Sequence, residues 1–156
     1  MKTNIPKQNI EALRIIIDAI KDMNLRWALV GSTALAIHGV GVEVHDIDIN
    51  TDPKSICQIG ELLKEYVIEP VHYKETEKFK SIYGLFNIFG VQVEIFTDLE
   101  CHTDGIWQKI SNPHKIIMKE YEGIRIPLID LREEYEAYKK LGRIDKANKI
   151  LEVLEK

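Results

Sequence analysis

Apolar side chains recur along the chain with two different periods, and the period changes several times. Near the N-terminus Ile10, Leu13 and Ile20 fall on one face of a 3.6-residue repeat, which predicts an amphipathic helix. Farther on, short apolar runs and alternating positions are typical of strands. The predicted elements of this part are a helix over 7–23, a buried strand over 27–30, a short helix over 32–38 and a strand over 44–50.

The rest of the pattern predicts hairpins followed by two helices. Asp52 and Pro53 predict a helix start, because Asp caps the first turn and Pro fits its first position. Asp130 is predicted to cap a later helix, with Glu133 completing a capping box. The predicted elements of this part are a helix after Pro53, strands over 67–71, 79–87 and 91–96 with a turn at Gly90, a strand pair over 115–121 and 123–127, and a helical hairpin over about 129–156.

Together these elements predict an α+β (mixed α/β) fold, in which helices flank a mixed sheet and a helical hairpin closes the chain. A length of 156 residues predicts one domain over 1–156. Lysine and arginine number 21 against 25 aspartates and glutamates, a net charge of −4 that argues against general nucleic-acid binding.

Other patterns exclude membrane and disulfide-framework classes. No apolar run approaches the roughly 20 residues of a membrane span, and the segment Met1 to Lys7 lacks the apolar core of a signal peptide. Cys57 and Cys101 stand far apart, which favours free thiols over a disulfide framework or a zinc site. These features predict a cytoplasmic protein.

The first candidate site is the junction after the predicted strand over 27–30. Gly31 and Ser32 stand where a strand ends and a helix begins, and the free backbone N–H groups of such a turn bind phosphate. Glycine lets a phosphate approach the backbone closely, and the serine hydroxyl adds a donor. The alternative is purely structural: Gly31 ends the strand and Ser32 caps the helix.

The second candidate site is a set of acids. Asp46 and Asp48 lie two residues apart on a predicted strand, so both carboxylates share a face. Such a pair is unfavourable without a cation, and Mg²⁺ prefers oxygen ligands. Glu94 lies on another predicted strand and joins the pair if the two strands are neighbours. The alternative interpretation is a solvated strand surface.

These residues, taken together, resemble the DNA polymerase β-like nucleotidyltransferase superfamily. The shared pattern is Val30-Gly31-Ser32, a spacer of thirteen residues, Asp46-Ile47-Asp48-Ile49 and the later Glu94. The run from Gly31 to Gly39 is most similar to small prokaryotic members, namely the lincosamide nucleotidyltransferases, AbiEii-type toxins and MNT-type antitoxins. The tail around Tyr138 and Arg143 resembles their C-terminal helical motif.

The resemblance implies a reaction and a set of roles. A nucleoside triphosphate would bind at Gly31 and Ser32, and two Mg²⁺ ions, with Mn²⁺ as the alternative, would bind Asp46, Asp48 and Glu94 as catalytic residues. An acceptor hydroxyl would then take a nucleoside monophosphate and pyrophosphate would leave. Many relatives carry an arginine just before Asp-x-Asp, where this chain has Glu43 and His45.

Basic residues near the C-terminus would supply the missing phosphate contacts. These are Lys139, Lys140 and Arg143, for which the alternative is a solvated helix face. The acceptor stays open among a small molecule, a tRNA end and a protein, and either a homodimer or a toxin-like partner would complete the acceptor site. Two alternatives to an enzyme remain: a non-catalytic, antitoxin-like interaction module, and a protein without a site.

Overall fold

Five α-helices and eight β-strands make up the part of the chain that the computed structural model describes, residues 5–156. The helices are α1 (Lys7–Ile20), α2 (Gly31–Ile37), α3 (Ile56–Leu62), α4 (Leu131–Lys140) and α5 (Ile144–Leu154). The strands are β1 (Trp27–Val30), β2 (Ile47–Thr51), β3 (Val67–Glu75), β4 (Phe79–Ile88), β5 (Val91–Thr103), β6 (Ile106–Lys109), β7 (Ile116–Tyr121) and β8 (Ile124–Ile129). Residues 1–4 lie outside the described residues. They belong to the N-terminal segment that is predicted to lack the apolar core of a signal peptide.

The strands form one mixed sheet in the order β3-β4-β5-β2-β1-β8-β7, with β6 paired to β5. Strand β2 runs antiparallel to β1 and parallel to β5. Strand β1 runs parallel to β8, and hairpins join β3 to β4, β4 to β5 and β7 to β8. The predicted α+β fold with a mixed sheet flanked by helices is therefore confirmed.

The main core lies on one face of this sheet. Ile47 and Ile49 of β2 are fully buried and belong to the same apolar cluster as Leu13 and Ile16 of α1 and Ile59 of α3. Because strand side chains alternate between faces, the even-numbered residues of β2 must point to the opposite face. The core thus determines where the polar residues of this strand go.

A smaller core joins α2 to the C-terminal helices. Leu35 of α2 packs in one cluster with Tyr138 of α4 and Ile150 of α5. Gly142 has a φ of 76°, the left-handed conformation that lets the chain turn sharply between α4 and α5. This packing holds α4 beside the start of α2.

Several predicted boundaries are wrong. The first helix ends at Ile20 rather than at residue 23, and β2 begins at Ile47 rather than at residue 44. Asp52 accepts a hydrogen bond from the Ser55 N–H at 2.8 Å, but only a turn follows and α3 begins at Ile56.

The capping box predicted at α4 is also wrong. Asp130 precedes the helix but makes no side-chain cap. The Glu133 carboxylate instead accepts hydrogen bonds from the backbone N–H groups of His114 and Lys115, at 3.0–3.1 Å. Glu133 therefore fastens the loop between β6 and β7 to α4 rather than closing the helix start.

Two class-level predictions can be compared with the fold. Both cysteines are free thiols, as predicted, and the structure adds that Cys57 is exposed and Cys101 is buried. Among the described residues, every helix is too short or too polar to cross a membrane.

Candidate active site

Gly31 marks the sharp turn between β1 and α2, in a backbone conformation that favours glycine. Its φ is 74°, and a Cβ atom built on it would overlap the Asp48 Oδ2 atom and lie 3.2 Å from the Asp48 Cγ. Residues with a side chain pay a steric penalty at this φ. The turn and the Asp48 carboxylate are thus in direct van der Waals contact, and only glycine leaves room for both.

Asp48 and Glu94 are brought together by strand pairing. Parallel pairing of β2 with β5 places Asp48 directly beside Glu94, which meets the condition under which Glu94 can join the pair of aspartates. On the other side, Asp48 is in register with Val30 of β1, the residue before Gly31. Asp48 therefore stands between the Gly31 turn and Glu94.

Asp46 lies on the same side of the sheet edge as Glu94, bridged to it by Gln92, but strand geometry is not the reason. It precedes β2, so strand alternation does not orient it. Instead, Ser32 and Thr33 hold its segment: the Ser32 Oγ accepts the His45 N–H at 3.0 Å, and the Thr33 hydroxyl donates to the Asp46 carbonyl at 2.9 Å. The side chain of Asn9 on α1 also donates to the His45 carbonyl, at 3.1 Å.

Side-chain donors connect the acids. The Gln92 amide lies 3.2 Å from the Asp46 Oδ2 and 3.3 Å from the Glu94 Oε1, and donates to both. The Tyr83 hydroxyl donates to the same Glu94 oxygen at 3.0 Å. Gln92 and Tyr83 were not predicted as site residues. The i, i+2 spacing of Gln92 and Glu94 on one strand face was the available signal.

The electrostatics of the acids are those of an uncompensated anionic cluster. Burial raises the pKa of Asp48 well above its ordinary value, and the negative charges of Glu94 and Asp46 raise it further. Carboxylates that share a site in this way disfavour full ionisation unless a cation joins them. Oxygen donors of this kind fit Mg²⁺. Within residues 5–156, however, no three acids, histidines or cysteines are already arranged as a complete metal site.

Glu134 on α4 is a site residue that the sequence prediction missed. It is 5% exposed, and its Oε2 accepts the Gly31 N–H at 2.8 Å. Burial raises the pKa of Glu134 to about 7, although the Gly31 hydrogen bond favours the ionised form. A signal was present: Glu134 follows Leu131 by three residues and precedes Tyr138 by four, so it interrupts the apolar stripe of the helix.

Folding stability is expected to fall with rising pH because of Glu134. Its carboxyl stays protonated in the native protein up to a pKa of about 7, while the unfolded chain ionises near 4.5, so the unfolded state binds fewer protons between these values. Relative to Glu134→Gln, the wild type should lose about 2–3 kcal/mol of unfolding free energy between pH 4.5 and 7. Urea unfolding of both proteins at pH 5 and pH 8 measures this difference, and parallel pH profiles would contradict it.

A cavity of about 570 Å³ opens beside these residues, between the sheet and α4. Asp48, Glu94 and Glu134 all line it, and so does Gly31. Of the three predicted basic residues, Lys140 and Arg143 line the cavity. Lys139 is not among the lining residues, and its Nζ lies 5.2 Å from the centre of the Tyr135 ring.

Further basic groups on the cavity wall escaped prediction because they are far apart in sequence. They are Lys74 of β3, His114 of the β6–β7 loop and Arg132 of α4. No sequence motif marks any of these three residues, and only the packing of α4 against the sheet brings them together. The two groups predicted to bind phosphate already have hydrogen-bond partners within the protein. The Gly31 N–H donates to Glu134, and the Ser32 Oγ accepts the His45 N–H.

Comparison with known families agrees with this geometry. A sequence profile of the aminoglycoside-2''-adenylyltransferase family matches residues 12–152. The chain belongs to this family. It is therefore a nucleotidyltransferase, an enzyme that transfers a nucleoside monophosphate, and the resemblance to the small nucleotidyltransferases is confirmed. No functionally curated protein matches the chain.

Solved structures extend the comparison. A Thermotoga maritima protein assigned as a nucleotidyltransferase is 36% identical, with a TM-score of 0.78 over 97% of this chain and 96% of its own. The enzyme ANT(2'')-Ia in complex with adenylyl-2''-tobramycin is 11% identical, with a TM-score of 0.57 over 93% of this chain and 88% of its own. The lincomycin-bound lincosamide adenylyltransferase LnuA is 13% identical, with a TM-score of 0.55 over 95% of this chain and 99% of its own. The last two share the fold.

Proposed function

We propose that this nucleotidyltransferase moves a nucleoside monophosphate from a magnesium-bound nucleoside triphosphate to a hydroxyl of a small molecule held in the cavity beside Asp48. One observation carries the proposal: Asp48 lies in register with Glu94 and touches the Gly31 turn, on the wall of the 570 Å³ cavity. A phosphate-binding turn, paired carboxylates and room for an acceptor are the three parts that such a transfer needs.

In this proposal the triphosphate binds at the Gly31 turn. The backbone N–H of Gly31 points to the cavity side, where the Glu134 carboxyl now accepts it. A triphosphate oxygen at Gly31 must displace Glu134, and a protonated Glu134 leaves more readily than an ionised one because no buried charge has to lose its partner. Lys140 and Arg143, on the cavity wall, supply the remaining contacts in this proposal. Ser32 contributes only its hydroxyl hydrogen, since its oxygen already accepts the His45 N–H.

Asp46, Asp48 and Glu94 would hold the metal, since their oxygens form the donor set that Mg²⁺ prefers. The chemistry supplied by bound magnesium is neutralisation of the charge on the phosphates and on the attacking and leaving oxygens. Glu94 also faces the cavity and accepts hydrogen bonds from Tyr83 and Gln92. Held in this way, its carboxylate can accept the proton of the acceptor hydroxyl.

The cavity favours a small acceptor over a macromolecular one. Its volume of about 570 Å³ lies inside the range of small-molecule sites, roughly 300–1,000 Å³. Apolar side chains such as Phe96, Leu99 and Ile110 line it together with the acids. ANT(2'')-Ia and LnuA, which share the fold, are antibiotic adenylyltransferases, as the bound adenylyl-tobramycin and lincomycin of those structures indicate.

Calorimetric titration with ATP, CTP, GTP and UTP, each with and without Mg²⁺, tests the proposal. We expect magnesium-dependent binding of at least one triphosphate and, with a suitable acceptor, release of pyrophosphate. If none of the four binds in a magnesium-dependent way, the proposed function is wrong.

The basic residues of the C-terminal hairpin allow a matched test. Lys140→Gln and Arg143→Gln should each weaken triphosphate binding about 3- to 10-fold, because each removes one charge from the cavity wall. Lys139→Gln is the control, since Lys139 lies next to Lys140 on α4 but outside the cavity wall. Equal weakening in all three variants would show a general charge effect rather than contacts with the nucleotide.

A further inference from the structure

Asn50 of β2 holds a buried oxygen without a partner. The residue is 4% exposed, and within residues 5–156 its Oδ1 is the buried side-chain atom for which no hydrogen-bond partner is found. Buried polar atoms are nearly always paired in native proteins, so an orphan calls for an explanation. Asn50 lines the cavity, so a rotation of its terminal amide is enough to turn this buried oxygen towards a molecule bound there.

The position of Asn50 relative to the acids is set by the strand. Asn50 and Asp48 are two residues apart on β2 and share a face, so their side chains are about 6–7 Å apart along the strand. Asn50 is in register with Ala28 of β1 and Phe96 of β5. Its neighbours across the sheet are therefore apolar and provide no hydrogen-bond donor.

Asn50 also lies on the side of the site where an acceptor would bind. The Gly31 turn follows β1 on one side of Asp48, and Glu94 lies on β5 on the other. In-line transfer puts the leaving and attacking oxygens on opposite sides of the phosphorus. With pyrophosphate at Gly31, the acceptor lies towards Glu94, where Phe96 and Tyr83 form the row that contains Asn50.

We infer that the side-chain carbonyl of Asn50 accepts a hydrogen bond from the acceptor molecule and thereby determines which acceptors bind. The preferred acceptor carries a second O–H or N–H donor about 6–7 Å from the hydroxyl that reacts, one strand repeat away. Its framework between these groups is apolar, to match Phe96 and the neighbouring wall. This inference rests on the proposed function, since it assumes that the acceptor hydroxyl lies beside Glu94.

Two probes that differ in one donor test the inference. They are trans-cyclohexane-1,4-diol and trans-4-methoxycyclohexanol, which have the same ring but differ by one O–H. Their binding is measured by ligand-observed NMR in the presence of Mg²⁺ and a non-hydrolysable analogue of the triphosphate that binds. We expect the wild type to bind the diol about fivefold more tightly, the effect of one net hydrogen bond.

Variants of Asn50 isolate the contribution of its oxygen. In Asn50→Leu the preference for the diol should disappear, while in Asn50→Asp, which keeps an acceptor oxygen, it should persist. Asn50→Leu should also raise the melting temperature of the ligand-free protein, because it removes an unpaired buried oxygen. Asn112→Leu is the matched control and should lower it, because the Asn112 side chain is hydrogen-bonded to Thr97 and Asp98.

The outcomes separate this inference from the function on which it rests. A wild type that binds the magnesium triphosphate but binds both probes equally, or neither, overturns the role of Asn50 and leaves the proposed function standing. A diol preference that survives in Asn50→Leu also overturns it. A wild type that binds no triphosphate refutes the proposed function, and the inference with it.

Discussion

Replacing Asp48 by asparagine is expected to abolish nucleotidyl transfer without unfolding the protein. Asp48 lies between the Gly31 turn and Glu94, and its carboxylate has no substitute at the centre of the acidic cluster. Loss of one preorganised charged group of this kind should reduce kcat/KM by roughly 10³-fold. The measurement is pyrophosphate release with the triphosphate and acceptor that support turnover.

The same substitution should leave the fold as stable as before or more stable. Burial and the nearby acids raise the pKa of Asp48, so its ionised form is disfavoured in the ligand-free native state but not in the unfolded chain. An amide of the same shape removes this penalty at neutral pH. Asp52→Asn is the matched control, because Asp52 follows the same strand, lies outside the cavity wall and can keep its bond to Ser55 as an asparagine. Retained turnover in Asp48→Asn would refute the assigned role of Asp48.

Replacing Gly31 by alanine is the second substitution for which we expect a large effect. The new Cβ has to occupy a backbone with a φ of 74° and would overlap the Asp48 carboxylate. We expect a loss of about 2–4 kcal/mol in unfolding free energy, together with loss of turnover because Asp48 is pushed out of place. Urea unfolding at constant pH measures the stability change.

Two comparisons separate the backbone strain from the collision. Gly39→Ala is the matched control, since Gly39 has a φ of 89° but open space around its Cβ position, and it should cost only about 1–2 kcal/mol. In the background of Asp48→Ala, the cost of Gly31→Ala should fall towards the same value, because the overlapping Oδ2 atom is gone. Equal costs at Gly31 and Gly39 in the wild-type background would show that the contact with Asp48 is unimportant.

The strand pairing argues against the hypothesis that the protein has no functional site. That hypothesis fails if Asp46, Asp48 and Glu94 converge. Asp48 and Glu94 are register neighbours on one face, and the Gln92 amide bonds to both Asp46 and Glu94. The antitoxin-like reading is not supported by the family match, which is to an adenylyltransferase family. Cytoplasmic location, a homodimer and a toxin-like partner stay predictions.

The sequence predicted best those features that depend on neighbouring residues. Trp27–Val30 is apolar throughout and ends at Gly31, and the observed strand has these bounds. The hairpin at Gly90 and the helical pair at the C-terminus follow from local turn residues and periodicity in the same way. The predicted start of α3 was wrong because an Asp-Pro pair is typical both of a β-turn and of the start of a helix.

The fold also needed information that no local pattern contains. Asp46 was expected on a strand, yet its place is determined by hydrogen bonds to its backbone and that of His45. Thr33 and Asn9 donate to the carbonyls of Asp46 and His45, and Ser32 accepts the His45 N–H. The Glu133 side chain bonds to the β6–β7 loop for a similar reason, because the backbone N–H groups of His114 and Lys115 there need an acceptor. Such bonds join residues distant in sequence, so neither propensity nor spacing reports them.

By itself, the sequence determined the chemistry available to this protein: a Gly-Ser turn after a buried strand, an Asp-x-Asp segment and a later acid on a strand. Only the tertiary structure decided that Glu94 lies beside Asp48, that Glu134 binds the Gly31 N–H, and that Asn50 lines a cavity and holds a buried, unpaired oxygen. The physical reason is that residue type and periodicity report the face on which a side chain lies. Strand order and helix docking decide what that face meets, and they depend on the packing of the whole chain.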